Sequence, residues 1–334
     1  MLSYALRRLA FALPTLLTIS VVVFALMALA PGDPMAQLPL TIPAEVRAEM
    51  RSALGLDAPL HQRYGMWLWQ MVVIEPRVAI EALLGIEGND ATRILSWQTR
   101  GPVFQLIAQR LPQTLTVLGL AYVLGIAIAL PLGIWSAYRH NSAFDRVANG
   151  IALLGVAVPP FFSAAILIYI FAIRLDWVPS IYDTTLAVTD WSSAWAQVRQ
   201  MALPVVVLSL QTTAQITRYM RAAMLDALGQ DYIRAARAKG LSERAVLIGQ
   251  AARNSMIPVV SVIALGVPQI FAGAIITEQV FGVNGIGQLL ITSLQANDLP
   301  TVQTITMLLA VLIVLANLVA DLAYGLLDPR VRYE

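Results

Sequence analysis

Two carboxylates border apolar stretches long enough to enter a bilayer. Glu278 stands at the end of the stretch Asn254 to Thr277, and Asp321 directly follows Leu299 to Ala320. Carboxylates at such depth are costly and face a bundle interior or water. They can relay a proton or line a solute pathway, or they can cap a helix or pair with neighbouring arginines. Asn317, Asp321 and Tyr324, spaced i, i+4 and i+7, share one helical face. Gln269 and Gln279 are weaker pathway candidates, because an amide in a helix bundle often bonds another helix. A second concentration of chemistry is Asp231 to Leu247, DYIRAARAKGLSERAVL. Here four basic residues fall within eleven positions, including Lys239, the only lysine.

Other chemistries are excluded. No Gly-x-x-x-x-Gly-Lys-Ser/Thr loop is present, so the chain has no Walker-type cradle for ATP phosphates. No HExxH or GxSxG motif and no paired intramembrane aspartates occur, which argues against a membrane enzyme. The absence of cysteine removes disulfides, thiolate catalysis and cysteine metal sites. The two histidines, His61 and His140, lie far apart, so a histidine metal site is not expected, and His61 beside Pro59 reads as an ordinary exposed residue. A net charge of +2 suggests no nucleic-acid partner.

The elements that position these residues follow from hydropathy. The chain is 58% hydrophobic and 13% charged, and its mean hydropathy of +0.71 is too high for a soluble globule. Six intervals lack Asp, Glu, Lys and Arg: Leu9 to Pro31, Leu111 to Tyr138, Val147 to Ile173, Gln200 to Thr217, Asn254 to Thr277 and Leu299 to Ala320. Their length and continuity predict helices rather than the short alternating segments of a barrel. The expected fold is therefore an all-α integral membrane protein with six transmembrane helices. Pro131 with Gly133, Pro159-Pro160, and Gly266 with Pro268 are expected to interrupt the second, third and fifth runs. Such breaks survive where protein or a water-filled cavity satisfies the freed carbonyls, although proline and glycine are also simply commoner in membrane helices.

Orientation follows from the short loops. Arg7 and Arg8, the loop around Arg139, His140 and Arg146, the segment Arg218 to Arg253 with seven basic and three acidic residues, and Arg330 with Arg332 all fall on one side if six spans are counted. That side is expected to be cytoplasmic, with both termini there. No Ala-x-Ala-like cleavage site closes the first run, so residues 1–31 read as a retained first span. Residues 32–110, with mixed charges and Trp67, Trp69 and Trp97, read as a small extracytoplasmic insertion. Residues 111–334 form the remaining five spans, with a cytoplasmic segment at 218–257. Within the insertion, Ala44 to Leu54, AEVRAEMRSAL, reads as a short helix with interleaved Glu and Arg.

The charged stretch has internal order. Asp231 can cap a helix through Tyr232-Ile233-Arg234-Ala235-Ala236, Gly240 offers a left-handed stop, and Ser242 can cap a second short helix running toward Pro258, where the fifth span is expected to begin. The small Ala235-Ala236 face would let another protein approach closely. Arg234, Arg237, Lys239 and Arg244 would ring that face with donors suited to carboxylates. A loop that merely meets anionic headgroups would show the charge without this order.

The order resembles the coupling motif of ABC-importer permeases: Glu-Ala-Ala, three residues, Gly and a distal Pro. Arg234 stands at the Glu position, Ala235, Ala236 and Gly240 match, and Pro258 follows eighteen residues later. DYIRAARAKGLS, RNSMIP, the opening LRRLAFALPTLLTISVVVFALMALAPGDP, LGLDAPLHQRY, RLPQTLTV, GAIITEQVFGVNGIGQLL and NLVADLAYGLLDPRVRY are similar to the dipeptide and oligopeptide branch, in order, over most of the chain. Ile74 to Gly101 departs from that branch, and Gln250 and Ala252 replace its usual His and Leu.

The resemblance implies a type I ABC importer permease in the bacterial inner membrane, forming half of a pathway for short peptides or a similar solute. It implies coupling to cytoplasmic ATPases through Asp231, Tyr232, Arg234, Ala235, Ala236, Arg237, Lys239 and Gly240. It further implies a second, nonidentical permease, two ATPase subunits carrying ATP and Mg, and an extracytoplasmic solute-binding protein docking in part on Ala44 to Leu54. The permease itself would bind no cofactor. The alternative from another class is a proton-coupled secondary transporter using Glu278 or Asp321.

Overall fold

The computed structural model describes residues 2–29, 43, 45–46, 49, 51, 57–85 and 92–327. They form α1 (Leu2–Leu29), α2 (Leu60–Trp69), α3 (Glu75–Leu84), α4 (Val103–Tyr138), α5 (Ala143–Ala157), α6 (Pro160–Leu167), α7 (Trp191–Leu228), α8 (Asp231–Ala238), α9 (Arg253–Phe281), α10 (Ile286–Gln295) and α11 (Leu299–Leu327). Short π-helical stretches at Gln70–Ile74, Ile168–Arg174 and Ala245–Ala252 continue α2, continue α6 and lead into α9. Among the described residues there is no strand, only an isolated bridge between Leu95 and Pro102. Most of the candidate helix at Ala44 to Leu54 lies outside the described residues.

Four helices are long and apolar enough to cross a membrane, or up to six if each of two bent pairs is one span. The four lie at Ala10–Leu29, Val103–Tyr138, Ala245–Val267 and Leu299–Leu322. The first bent pair, Ala143–Ala157 with Pro160–Arg174, turns by 108° at the expected Pro159-Pro160 break. Pro160 opens α6, where its missing N–H leaves nothing unsatisfied. The other two expected breaks do not occur. α4 runs unbroken past Pro131 and Gly133, and α9 runs unbroken past Gly266 and Pro268. The second bent pair instead joins Ala274–Phe281 to Ile286–Gln295, with its 81° bend beyond the end of the expected fifth run. The run Gln200 to Thr217 is helical inside α7 but is not among the candidate spans. Its glutamines, serine and threonines lower its hydropathy, and many of them are buried by protein.

The residues divide into two compact units. The larger holds Met1–Leu9, Gln113–Gln288 and Ile313–Glu334. α7 is its centre, packed by α5, α6 and α9, and Leu203, Val207, Leu208, Ile216, Met220 and Met224 are all buried. Close approach is made possible by glycine. A Cβ on Gly125 would lie 2.8 Å from the Thr212 side chain, one on Gly133 2.6 Å from Met220 Cβ, and one on Gly155 2.9 Å from Ala214 Cβ. Small residues at helix crossings are the usual route to tight packing where hydrocarbon supplies no hydrophobic drive. Gly133 therefore serves packing rather than a kink. Thr213 and Thr217 use the proximity to donate to the carbonyls of Gly125 and Ala129 at 3.3 and 3.4 Å.

The turn between α4 and α5 is tied to α7 by a buried carboxylate. Asp145, 2% exposed, accepts from Arg221 Nε at 2.7 Å and its terminal nitrogen at 2.8 Å. It also accepts from Ser136, from the Asn141 amide and from Asn149. Arg221 additionally meets His140 Nδ1 at 3.0 Å.

The smaller unit holds Ala10–Pro112 and Leu289–Leu312. Phe24 of α1 packs edge-on against Tyr64 of α2 with centroids 5.3 Å apart, and Tyr64 hydrogen-bonds Ser20 at 2.8 Å. Two buried carboxylates hold its segment 92–103. Glu75 accepts from Arg93 at 2.8 Å and from the Ile94 amide at 3.1 Å. Asp298, at the start of α11, accepts from Ser96, from the Trp97 amide at 2.9 Å and from Thr301 at 2.7 Å.

Gly133→Val is expected to cost about 1–3 kcal/mol by overpacking against α7, whereas Gly119→Ala, whose Cβ meets no atom within 4 Å, is expected to be near neutral. Thermal unfolding of the purified membrane protein measures the difference, and equal midpoints for the two variants would contradict this packing.

Candidate functional site

The charged stretch folds as one short helix standing on the base of a long one. α8 has two sides. Ile233 is fully buried and Ala236 is 7% exposed, in one cluster with Val246, Leu247, Ala251 and Ala252 of the following π-helical stretch and Met220, Met224 and Ala227 of α7. Tyr232, Arg234, Ala235, Arg237 and Lys239 are exposed. The two alanines thus divide their work, Ala236 packing inward and Ala235 facing out. Ala252 is small enough to sit in that same buried cluster, while Gln250 is exposed.

The caps differ in part from expectation. Gln230 is the N-cap residue, and no side chain caps the helix there. Asp231 occupies the first turn instead, where a negative charge suits the helix dipole. At the other end Gly240 has φ +78°, and the Leu241 amide returns to the Ala236 carbonyl at 3.3 Å. This is a Schellman-type stop of the kind that favours glycine. Ser242 Oγ accepts from the Ala245 amide at 3.4 Å, but the helix it opens is not short. It runs through the π-helical stretch directly into α9, so Pro258 lies inside α9 rather than at its start.

The cations are not all free for a partner. Arg234 pairs with Asp231, and Arg237 pairs with Glu243 at 3.0 Å. Both pairs are solvent-exposed, so an incoming carboxylate can exchange with them at little cost. Lys239 and Arg244 form no ion pair among the described residues, and both are exposed.

The far end of α9 carries Glu278, which is 2% exposed. Its Oε2 accepts the Gly287 amide at 2.7 Å and the Gln288 amide at 3.2 Å, and its Oε1 accepts the Thr114 hydroxyl at 2.7 Å. Thr114 Oγ1 in turn accepts the Ile286 amide at 2.8 Å. A carboxylate thereby sits on the first turn of α10, satisfying amides that have no partner inside the helix. The glycines around it leave the room. A Cβ on Gly285 would overlap the carboxylate, and one on Gly287 would lie 2.5 Å from Ile275 Cα. Thr114, Gly285 and Gly287 are functional candidates that sequence reading missed, although the Gly-x-Gly pair at the start of an apolar helix was a visible signal.

The other pathway candidates are separate. Asp321 pairs with Arg8 at 2.9 Å, the arginine-paired arrangement that its position near a helix end allowed. Gln279 and Asn317 are exposed on α9 and α11. Gln269 lies in α9 with its side chain, like that of Tyr324, outside the described residues.

Two family models match nearly the whole chain. Residues 129–333 match the binding-protein-dependent transport system inner membrane component, and residues 1–118 match the N-terminal part of the membrane component of such systems. A putative peptide permease of Brucella suis is 38% identical, covering 99% of both chains. The oligopeptide transport system permease protein AppB of Bacillus subtilis and the dipeptide transport system permease protein DppB of Escherichia coli are each 35% identical over 100% of both chains. Among solved structures, the MetNI methionine ABC transporter in inward-facing form shares the fold at a TM-score of 0.53 and 16% identity, over 67% of this chain and 97% of that one. An apolar chain whose described residues form helices and no strand, matched end to end in this way, belongs to the family of binding-protein-dependent transport system inner membrane components, so it is a transport permease of an ABC importer rather than an enzyme.

Proposed function

We propose that this permease forms half of a translocation pathway for short peptides in a bacterial inner membrane, and that α8 is the element through which an ATPase drives it. The observation that carries the reading is the division of α8. Ile233 and Ala236 are committed to the core while Tyr232, Ala235 and Lys239 are presented to solvent. A helix anchored on one side and bare on the other is built to be pushed. Asp231, Arg234, Arg237 and Gly240 complete the docking element by setting its ends and its exchangeable charges.

The full assembly in this reading pairs the chain with a second, homologous but nonidentical permease, two ATPase subunits that hold ATP and Mg, and an extracytoplasmic binding protein. Both termini and α8 face the cytoplasm, as the distribution of arginines supports. Gln279 and Asn317 are the pathway candidates with exposed side chains. The peptide substrate rests on the relatives' names. No observation favours a proton-coupled carrier, because Glu278 is enclosed by hydrogen bonds and Asp321 is paired with Arg8.

Gly240→Val places a β-branched residue at positive φ, costing about 1–2 kcal/mol locally and disrupting the stop of α8. No atom lies within 4 Å of the added Cβ, so the membrane part should still assemble. Substrate-stimulated ATP hydrolysis should fall with ATPase association, and normal stimulation in this variant would refute the docking role. A reporter fused after Gly88 should be active only outside the cytoplasm, and activity inside would reverse the topology. Mass spectrometry of ligands copurified with the partner binding protein should find short peptides; another solute class would overturn the substrate assignment.

A further inference from the structure

We propose that Glu278 is a positioning residue for transport, one that locks the far end of α9 to the first turn of α10 so that displacement delivered at α8 is not lost in the bend. The proposal rests on the docking reading of α8. It deepens that reading by naming where the motion is received.

α8 packs on the π-helical stretch Ala245–Ala252, which passes without interruption into α9. At 1.5 Å per residue, the 29 residues of α9 form a rod of about 43 Å. That rod ends at Gly282, whose φ is +68°, and α10 begins four residues later, at Ile286. A glycine-rich joint of this kind is a natural hinge, and a hinge would absorb the motion rather than pass it on. Glu278 closes it. One carboxylate on α9 takes two amides from the first turn of α10 and the hydroxyl of Thr114 on α4, while Thr114 takes a third α10 amide. The joint is thus crossed by a triangle of hydrogen bonds within a single compact unit. Hydrogen bonds to a carboxylate are about twice as strong as neutral ones, and this one is buried.

Gly285 and Gly287 support the same conclusion independently. Side chains at either position would drive the carboxylate out or strike Ile275, so the geometry is specified from both sides of the joint.

The test uses the complete complex in lipid nanodiscs. Glu278→Gln keeps the shape but replaces one acceptor with a donor. Hydrogen exchange at the Ile286, Gly287 and Gln288 amides should accelerate about tenfold or more. Thr114→Val removes the hydroxyl at nearly constant volume. Basal ATP hydrolysis and assembly should persist, solute moved per ATP should fall about tenfold, and Thr114→Ser should restore it. That rescue and the split between hydrolysis and transport separate a positioning role from simple loss of fold. Unchanged amide exchange in Glu278→Gln, or parental transport per ATP in Thr114→Val, would overturn the proposal. If Thr114→Val fails to assemble, the amide exchange of Glu278→Gln decides. Failure of the docking reading shows separately, as normal stimulation in Gly240→Val alongside accelerated exchange in Glu278→Gln.

Discussion

Hydrocarbon offers no hydrogen bonds, so a charged group carried away from water is stabilised only by partners in the protein itself. Four buried carboxylates show how that requirement is met. Glu75, Asp145, Glu278 and Asp298 are each no more than 2% exposed. Each accepts at least one backbone amide as well as side-chain donors. Glu278, in the last turn of α9, reaches the first turn of α10; Asp298 directly precedes α11, Asp145 lies in the first turn of α5, and Glu75 holds the segment that precedes α4. The carboxylates are therefore fasteners: Glu278 holds amides of a first helical turn, and the other three hold amides of the segments that connect helices.

The same constraint explains α7. Its run of serine, threonine and glutamine would be a poor face for lipid, yet it suits a central helix whose neighbours come close enough to accept its hydroxyl protons. Glycine at Gly125, Gly133 and Gly155 provides the closeness, and the carbonyls of Gly125 and Ala129 receive the threonines. Close packing and polar satisfaction are here one arrangement, because the small residues that admit α7 also expose the backbone it bonds.

The functional elements use this rigidity. α8 contributes Ile233 and Ala236 to the core around α7 and leaves its other side bare. Its exposed ion pairs, Arg234 with Asp231 and Arg237 with Glu243, keep the surface ordered without consuming it. From there an unbroken α9 leads to the joint at Gly282, where Glu278 and Thr114 hold the start of α10. The family assignment identifies a transport permease, and this physical continuity gives a route by which a push on one short helix can be felt at the other end of a long one.

Sequence alone determined the class of protein. Long charge-free runs marked an all-helical membrane chain, and the spacing of Ala235, Ala236 and Gly240 marked a short helix with a left-handed stop, because hydropathy and a helix stop are local properties. It also placed the break at Pro159-Pro160, where two prolines in succession leave a helix little choice. Tertiary structure decided the rest. Whether Pro131 or Pro268 breaks a helix depends on what neighbours do for the freed carbonyl, and both helices stay whole. Whether Arg237 is free depends on Glu243 across the turn. What the Glu278 carboxylate bonds depends on Thr114, 164 residues away in the chain, and on amides that only the bend after Gly282 brings within reach. Pairings over such distances leave no local pattern to read, since they are set by which helices pack together and at what register.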